Sequence, residues 1–400
     1  MARVAESDTP TPLDSFTALL TDQGRTLLDG LPAYDRSREL AVAERLRRDH
    51  PAPLVTAALA QARLRQRAVA KFGAEDAGRM FFTPNGLEQA TRADVAAHRA
   101  ARFAAQGVRR VADLGCGVGG DALALARAGV TVLAVDRDPL TCAVAQANAE
   151  VLGLADRVEV RCADVTSVPL DGCDAVFADP ARRSGRGRIF DPEAYSPPLS
   201  WAVGTVRGAG RGALKVAPGI PHEAVPEDAE AEWVSHEGDV KEAVLWFGGP
   251  DAGGVRATLL PAGDTLHGRG LPDPEQEPVG RYLYEPDGAV IRAHLVAEVA
   301  EQVDGRLIDP TIAYVTSDTL TRTPYARAYE ITDALPFNLK KLRALLRERE
   351  VGTLTVKKRG SPVEPEELRR KMKPKGPNAA TVFLTRAAGA PTMLLGHPVA

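Results

Sequence analysis

Cysteine is scarce in this 400-residue chain: Cys116, Cys142, Cys162 and Cys173 are the only four, and no two form a Cys-x-x-Cys pair. That excludes a disulfide framework and the common structural zinc patterns, and the four are expected as buried thiols. The seven histidines are scattered, with no pair at the spacing that sets two imidazoles on one helix face, so no metal dependence is expected. No apolar run is long enough to span a bilayer. The start, Met1-Ala2-Arg3-Val4-Ala5-Glu6-Ser7-Asp8, lacks the apolar stretch of a secretory signal, which makes the cytoplasm the expected location. Internal repeats are absent too. A chain of this length exceeds what one core usually supports, so two or three domains are expected.

What is present is organised in three textures. Residues 1–103 read as an Ala- and Arg-rich helical domain, with Val55, Ala58, Leu59 and Ala62 on one helix face and a turn at Met80-Phe81-Phe82-Thr83-Pro84-Asn85-Gly86. Residues 104–262 alternate short apolar runs with helical segments, the pattern of a parallel sheet covered on both faces. The strands are expected at Arg110–Leu114, Thr131–Asp136, Arg157–Cys162, Ala175–Asp179 and Gly212–Val216. Ala231–Ser235, Ala243–Phe247 and Arg256–Leu260 follow as an antiparallel edge. The expected fold class is α/β, a doubly wound, seven-stranded Rossmann-like sheet behind an N-terminal helical cap, although eight segments carry strand character. A Pro/Gly/Asp-rich linker over 261–280 leads to a small α+β domain at 280–400, with helices Asn338–Arg349 and Pro365–Lys373 and strands Thr353–Lys357 and Thr381–Thr385.

The run Asp113-Leu114-Gly115-Cys116-Gly117-Val118-Gly119-Gly120-Asp121 joins the first strand to the next helix. Its glycines permit a sharp turn and close backbone approach to a ligand, which suits either a dinucleotide or S-adenosylmethionine. The acids separate the two. Asp113 at the strand end would repel a pyrophosphate but suits the cationic amino-acid end of S-adenosylmethionine. Asp136, followed by Arg137, would accept the ribose hydroxyls of either cofactor and does not discriminate, whereas Asp164-Val165 would meet the adenine, which a dinucleotide site does not require. Gly115, Gly117, Gly119 and Asp121 complete the expected cofactor set. The plain alternative is that these strand-end acids only cap helices.

The fourth strand ends in Phe177-Ala178-Asp179-Pro180-Ala181-Arg182-Arg183. This order resembles the Asp/Asn-Pro-Pro-aromatic motif of methyltransferases acting on exocyclic amines, but Ala181 and Arg182 replace the second proline and the aromatic. Base stacking would then fall to Phe81 or Phe82. No cysteine follows Cys173, which excludes the covalent pyrimidine C5 route. Asp179 is expected to orient or deprotonate the acceptor, with Pro180 fixing the turn. Arg182, Arg183, Arg186 and Arg188 follow on a glycine loop, either as phosphate contacts or as a solvated surface.

Phe82-Thr83-Pro84-Asn85-Gly86-Leu87-Glu88-Gln89-Ala90-Thr91, the glycine run, Asp179-Pro180-Ala181-Arg182-Arg183 and Gly352-Thr353-Leu354-Thr355-Val356-Lys357-Lys358-Arg359-Gly360 together resemble the bacterial class I methyltransferases with a THUMP-like C-terminal domain. The resemblance covers almost the whole chain. It implies the cofactor S-adenosyl-L-methionine and, because THUMP domains accompany RNA-modifying enzymes, an RNA substrate such as tRNA or rRNA. Charge agrees: from Phe337 to Gly376 there are thirteen Lys and Arg against five Glu, an excess of eight in a chain of net charge −3. Phe82, Thr83, Arg182, Arg183, Lys357, Lys358 and Arg359 are the expected substrate contacts. The expected activity is methylation of a nucleobase nitrogen. Two alternatives stay open: a noncatalytic RNA-binding protein, and a small-molecule methyltransferase.

Overall fold

A computed structural model describes residues 10–180 and 192–399, together with the backbone of two short strands at Arg183–Ser184 and Gly187–Arg188. Contacts group the chain into two compact units. One comprises Met1–Ile220, Glu227–Ala229 and Val244–Ala252; the other comprises Pro221–Pro226, Glu230–Ala243 and Gly253–Ala400.

The first unit opens with helices α1 (Pro12–Leu20), α2 (Asp22–Asp29), α3 (Glu39–Leu46), α4 (Ala52–Arg79), α5 (Pro84–Gln89) and α6 (Ala93–Ala105). A reciprocal cap starts α1: Thr11 Oγ1 accepts the Asp14 N–H at 3.2 Å and Asp14 Oδ2 accepts the Thr11 N–H at 3.0 Å. Val55, Ala58 and Leu59 of α4 are buried as the face pattern requires. The expected turn at Met80–Gly86 is shorter than the sequence implied. Thr83 Oγ1 accepts the Gly86 N–H at 2.9 Å, and Pro84 occupies the first helical position, so Pro84-Asn85-Gly86 begin α5.

The main sheet comprises β1 (Arg110–Leu114), β2 (Thr131–Asp136), β3 (Val158–Cys162), β4 (Ala175–Ala178), β5 (Gly212–Val216), β6 (Ala229–His236), β7 (Asp239–Phe247), β8 (Val255–Leu260) and β9 (Asp264–His267). Their order is 9-8-6-7-5-4-1-2-3. This corrects the seven strands expected. The first seven run 6-7-5-4-1-2-3, and β8 then pairs parallel to β6 rather than closing an antiparallel edge, with β9 antiparallel beyond it. Strand β9 lies within the segment expected as a linker, where a Thr-Leu pair alternates too briefly to stand out among glycines and prolines. Between these strands come α7 (Gly120–Arg127), α8 (Pro139–Val151) and α9 (Leu199–Ala209). β1 is central, paired parallel to β2 and β4, so its C-terminal end faces the crevice where ligands bind in such sheets.

A second sheet comprises β10 (Tyr282–Pro286), β11 (Arg306–Asp309), β12 (Ile312–Ser317), β13 (Ala326–Pro336), β14 (Val351–Lys358), β15 (Asn378–Ala387) and β16 (Ala390–Pro398), in the order 11-12-10-13-16-15-14. Short helices α10 (Gly288–Arg292) and α11 (Val296–Gln302) follow β10, and α12 (Leu339–Glu348) and α13 (Pro365–Met372) flank β14. One core of this sheet gathers Leu342 and Leu346 of α12 with Leu354, Leu368, Met372 and Val382. Another gathers Leu283, Ile308, Tyr314, Tyr329, Phe383 and Leu394. The small α+β module read from the sequence is thus one part of this larger sheet.

Candidate cofactor and methyl-transfer site

The turn after β1 is built on glycine because nothing else fits it. Gly115, Gly117 and Gly119 have φ of +94°, +56° and +89°, and a Cβ on Gly115 would sit 3.2 Å from the Asp179 carbonyl oxygen. The Gly117 N–H donates to Asp136 Oδ2 at 3.1 Å, which ties the turn to the end of β2. On the other side α5 presses against the turn at Gly86, where an added Cβ would meet Val118 Cγ1 at 2.4 Å.

Two cavities meet at the strand ends. One, of about 230 Å³, is lined by Gly115, Gly117, Asp121, Asp136, Asp179 and Pro180, and walled by Gly86 and Glu88 to Thr91. The other, of about 280 Å³, is lined by Gly115, Asp136, Arg137, Asp164, Val165, Asp179 and Ser196 to Pro198. Gly115, Asp136 and Asp179 belong to both, so together they form one elongated site. Of the expected cofactor residues, Gly115, Gly117, Asp121, Asp136, Arg137, Asp164 and Val165 line it. Gly119 instead caps α7, and Asp113 lies beneath.

Asp113 is 1% exposed, and neither of its carboxylate oxygens has a hydrogen-bond partner among the described residues. Burial pushes its pKa well up, and Asp121, Asp179 and Asp136 push the same way, against the opposing Arg99 guanidinium. An orphaned carboxyl beneath a cavity with so many acids wants a cation. The sulfonium and ammonium of S-adenosylmethionine satisfy that requirement, and a pyrophosphate would aggravate it. Asp164 accepts from the Thr166 N–H at 2.9 Å and from Thr166 Oγ1 at 2.6 Å, which lowers its pKa and keeps it ionised at the mouth of the second cavity.

Three groups that sequence reasoning missed complete the site. Lys215 on β5 donates to Asp179 Oδ2 at 2.6 Å and to Thr91 Oγ1 at 3.0 Å. Thr91 in turn donates to Asp121 Oδ2 at 2.8 Å, and Arg99 of α6 donates to Asp121 Oδ1 while its guanidinium lies 4.4 Å from the centre of the Phe177 ring. The signal was available: Lys215 interrupts the otherwise apolar Gly212–Val216 of a strand buried along its whole length.

Several expected substrate contacts have other roles. Phe82 is 1% exposed and Phe81 2%, the Phe82 ring packing 5.4 Å from that of Phe72, so neither can stack on a base. Their backbones are what the site uses. Gln61 brackets Phe82, and Asn148 both accepts from the Phe81 N–H and donates to the Phe81 and Val118 carbonyls, fastening this segment to the glycine turn. Thr83 is a helix cap. Lys357 is paired with Glu285 and Lys358 with Glu364, while Arg359 donates to the Ala313 carbonyl and lies over the Tyr314 ring. These three are engaged internally because β14 carries them past acidic and aromatic neighbours. Arg182 and Arg186 lie outside the described residues, as do the side chains of Arg183 and Arg188. Not all four cysteines are buried thiols: Cys116 and Cys142 are, whereas Cys162 is exposed at the end of β3 and Cys173 is half-buried.

Comparison with known proteins gives the family. Residues 111–181 match a methyltransferase-domain family, 326–398 a THUMP domain-like family, and 11–68 a domain family of unknown function. An uncharacterised S-adenosylmethionine-dependent methyltransferase of Mycobacterium tuberculosis, in strains CDC 1551 and H37Rv, is 34% identical over 332 residues, which is 81% of this chain and 90% of that protein. A crystal structure from Porphyromonas gingivalis W83, assigned as a methyltransferase, shares the fold with a TM-score of 0.74 and 20% identity, over 92% of this chain and all of that one. The chain belongs to the S-adenosylmethionine-dependent methyltransferases.

Proposed function

We propose that this enzyme methylates a nitrogen of an RNA nucleobase, in tRNA or rRNA. The observation that carries the reading is Asp179, shared by both cavities and followed by the buried Pro180. S-adenosylmethionine, when bound, supplies a methyl group on a neutral leaving sulfur, so the protein's work is alignment and proton removal. Asp113, Asp121 and Asp136 hold the cationic and ribose portions, Arg137, Asp164 and Val165 the adenine end. Asp179 accepts an N–H of the incoming amine, turning its lone pair toward the methyl, and Lys215 keeps that carboxylate in place. Pro180 fixes the backbone that aims it.

Two observations support RNA as the substrate. The THUMP domain-like match covers 326–398, and α12 and α13 pack together with Lys340, Lys341, Arg343, Arg347, Arg369 and Arg370 exposed. Arg343 is spent on the Lys371 carbonyl and Arg369 on Glu366 and the Leu354 carbonyl, while Lys340, Lys341 and Arg347 lie on the solvent side of the helix whose other side buries Leu342 and Leu346. Phosphate is the ligand such a surface fits. Mass spectrometry of RNA nucleosides from wild-type and deletion strains tests the reading. One methylated nucleoside missing from the deletion, restored by the wild-type chain and not by Asp179→Ala, is the expected result. An unchanged nucleoside profile overturns it and favours a small-molecule acceptor or a noncatalytic RNA-binding role.

A further inference from the structure

The N-terminal helices hold a cavity that the methyl-transfer site does not use. It measures about 800 Å³, in the range of small-molecule sites, and lies between α1, the segment around Tyr34, α4 and the start of α8. Its floor is apolar: Pro12, Ala57, Ala60 and Leu140 keep apolar surface open to the cleft above the buried Phe16, Leu19 and Leu64. Its rim is cationic, with Arg36, Arg63 and Arg67 all exposed. Arg63 and Arg67 stand one turn apart on α4. None of the three has a carboxylate partner among the described residues. The one acid in the lining, Glu39, accepts the Tyr34 hydroxyl at 2.5 Å. That leaves three cations against one occupied carboxylate.

The wall is held in place rather than left to solvent. Gln66 donates to the Tyr34 carbonyl at 3.2 Å, so the segment carrying Arg36 is tied to α4. Thr83 and Pro84 at the start of α5 also line the cavity, and Gly86, Glu88 and Gln89 of the same helix wall the cofactor cavity. A ligand in the cleft would therefore lean on the element that covers the methyl donor.

We propose that this cleft binds a phosphate-bearing nucleotide of the RNA substrate, its phosphate held by Arg36, Arg63 and Arg67 and its base against the apolar floor. This rests on the RNA reading for the identity of the polymer. Several guanidiniums converging on one cleft match the multiple oxygens of a phosphate better than a lone carboxylate, which a single arginine saturates. The apolar floor distinguishes it from the α12 and α13 surface, which offers charge without a pocket.

Ultraviolet crosslinking of the full chain to a short single-stranded RNA containing thiouridine tests the inference, with peptides mapped by mass spectrometry. Crosslinks to α4 and to the segment around Tyr34 are expected, and their loss in the double variant Arg63→Gln/Arg67→Gln. In that variant the slope of log affinity against log salt should fall by about 1.4, at roughly 0.7 per phosphate contact on a single strand. Calorimetric binding of S-adenosylmethionine should match wild type, which reports that the fold is intact. Crosslinks confined to α12 and α13 with an unchanged slope overturn the cleft while leaving RNA as substrate. No binding of RNA anywhere on the chain overturns both.

Discussion

Lys215 Nζ bridges Asp179 Oδ2 and Thr91 Oγ1, at 2.6 and 3.0 Å, so a single buried ammonium joins the carboxylate after β4 to the wall that follows α5. Its side chain is 6% exposed and that of Asp179 24%. Removing one partner of such a pair leaves the other charge without compensation. Lys215→Met should therefore cost about 3 kcal/mol in urea unfolding. It should also slow methyl transfer about 100-fold through misplacement of Asp179. A variant as stable and as active as wild type would show that the bridge is dispensable.

Asp113 carries a cost in the free protein that a cation bound near it would relieve. Its folded pKa lies above the unfolded value, so the folded state holds a proton that the unfolded state releases, and this group's contribution weakens as pH rises from about 3.8 through the raised value. Asp113→Asn removes that burden. The free variant should melt higher than wild type at neutral pH, with the difference narrowing as pH falls toward 4. A bound cation favours the ionised carboxyl, so binding expels the proton. Wild-type affinity for S-adenosylmethionine should accordingly rise with pH up to the raised pKa, while Asp113→Asn should bind about 10- to 100-fold more weakly and lose that rise. Calorimetry across pH measures both.

Phe82 separates a packing role from a stacking one. The ring is buried among α4 and α1 residues, so Phe82→Ala should lose about 3 to 4 kcal/mol of stability through the cavity it leaves. RNA affinity of the folded fraction should change little. A variant of wild-type stability with weakened RNA binding would place the ring at the interface instead.

Strands β1, β2 and β5 were legible to the residue, because a strand buried on both faces is a short apolar run bounded by turns. That Asp121, Asp136 and Asp164 gather at the strand ends was legible for a related reason: an acid closing or following a short apolar run is a local pattern. Lys215 and Thr91 are 124 residues apart in sequence, and no local pattern brings them together. Phe81 and Phe82 misled because an aromatic pair in a Pro/Gly-rich stretch reads as exposed, whereas Gln61 and Asn148, from two distant helices, satisfy their backbones and let the rings turn inward. Lys357 and Lys358 misled in the same way, since the pairing acids Glu285 and Glu364 come from elsewhere in the chain.

The basic surface of α12 then becomes a quantitative question of which cations reach phosphate. Lys340, Lys341 and Arg347 are exposed on a helix that buries only its Leu342 and Leu346 side, whereas Lys358 is already neutralised by Glu364. Each cation that contacts a phosphate of a single strand contributes about 0.7 to the slope of log affinity against log salt. The triple variant Lys340→Gln/Lys341→Gln/Arg347→Gln should therefore flatten that slope by about 2 and weaken binding most at low salt. Lys358→Gln should leave it unchanged, because no counterion is released by a charge that Glu364 has already met. Anisotropy titrations of a labelled single-stranded RNA across a salt series distinguish the two. Equal slopes for the triple variant and wild type would remove α12 from the RNA-binding surface.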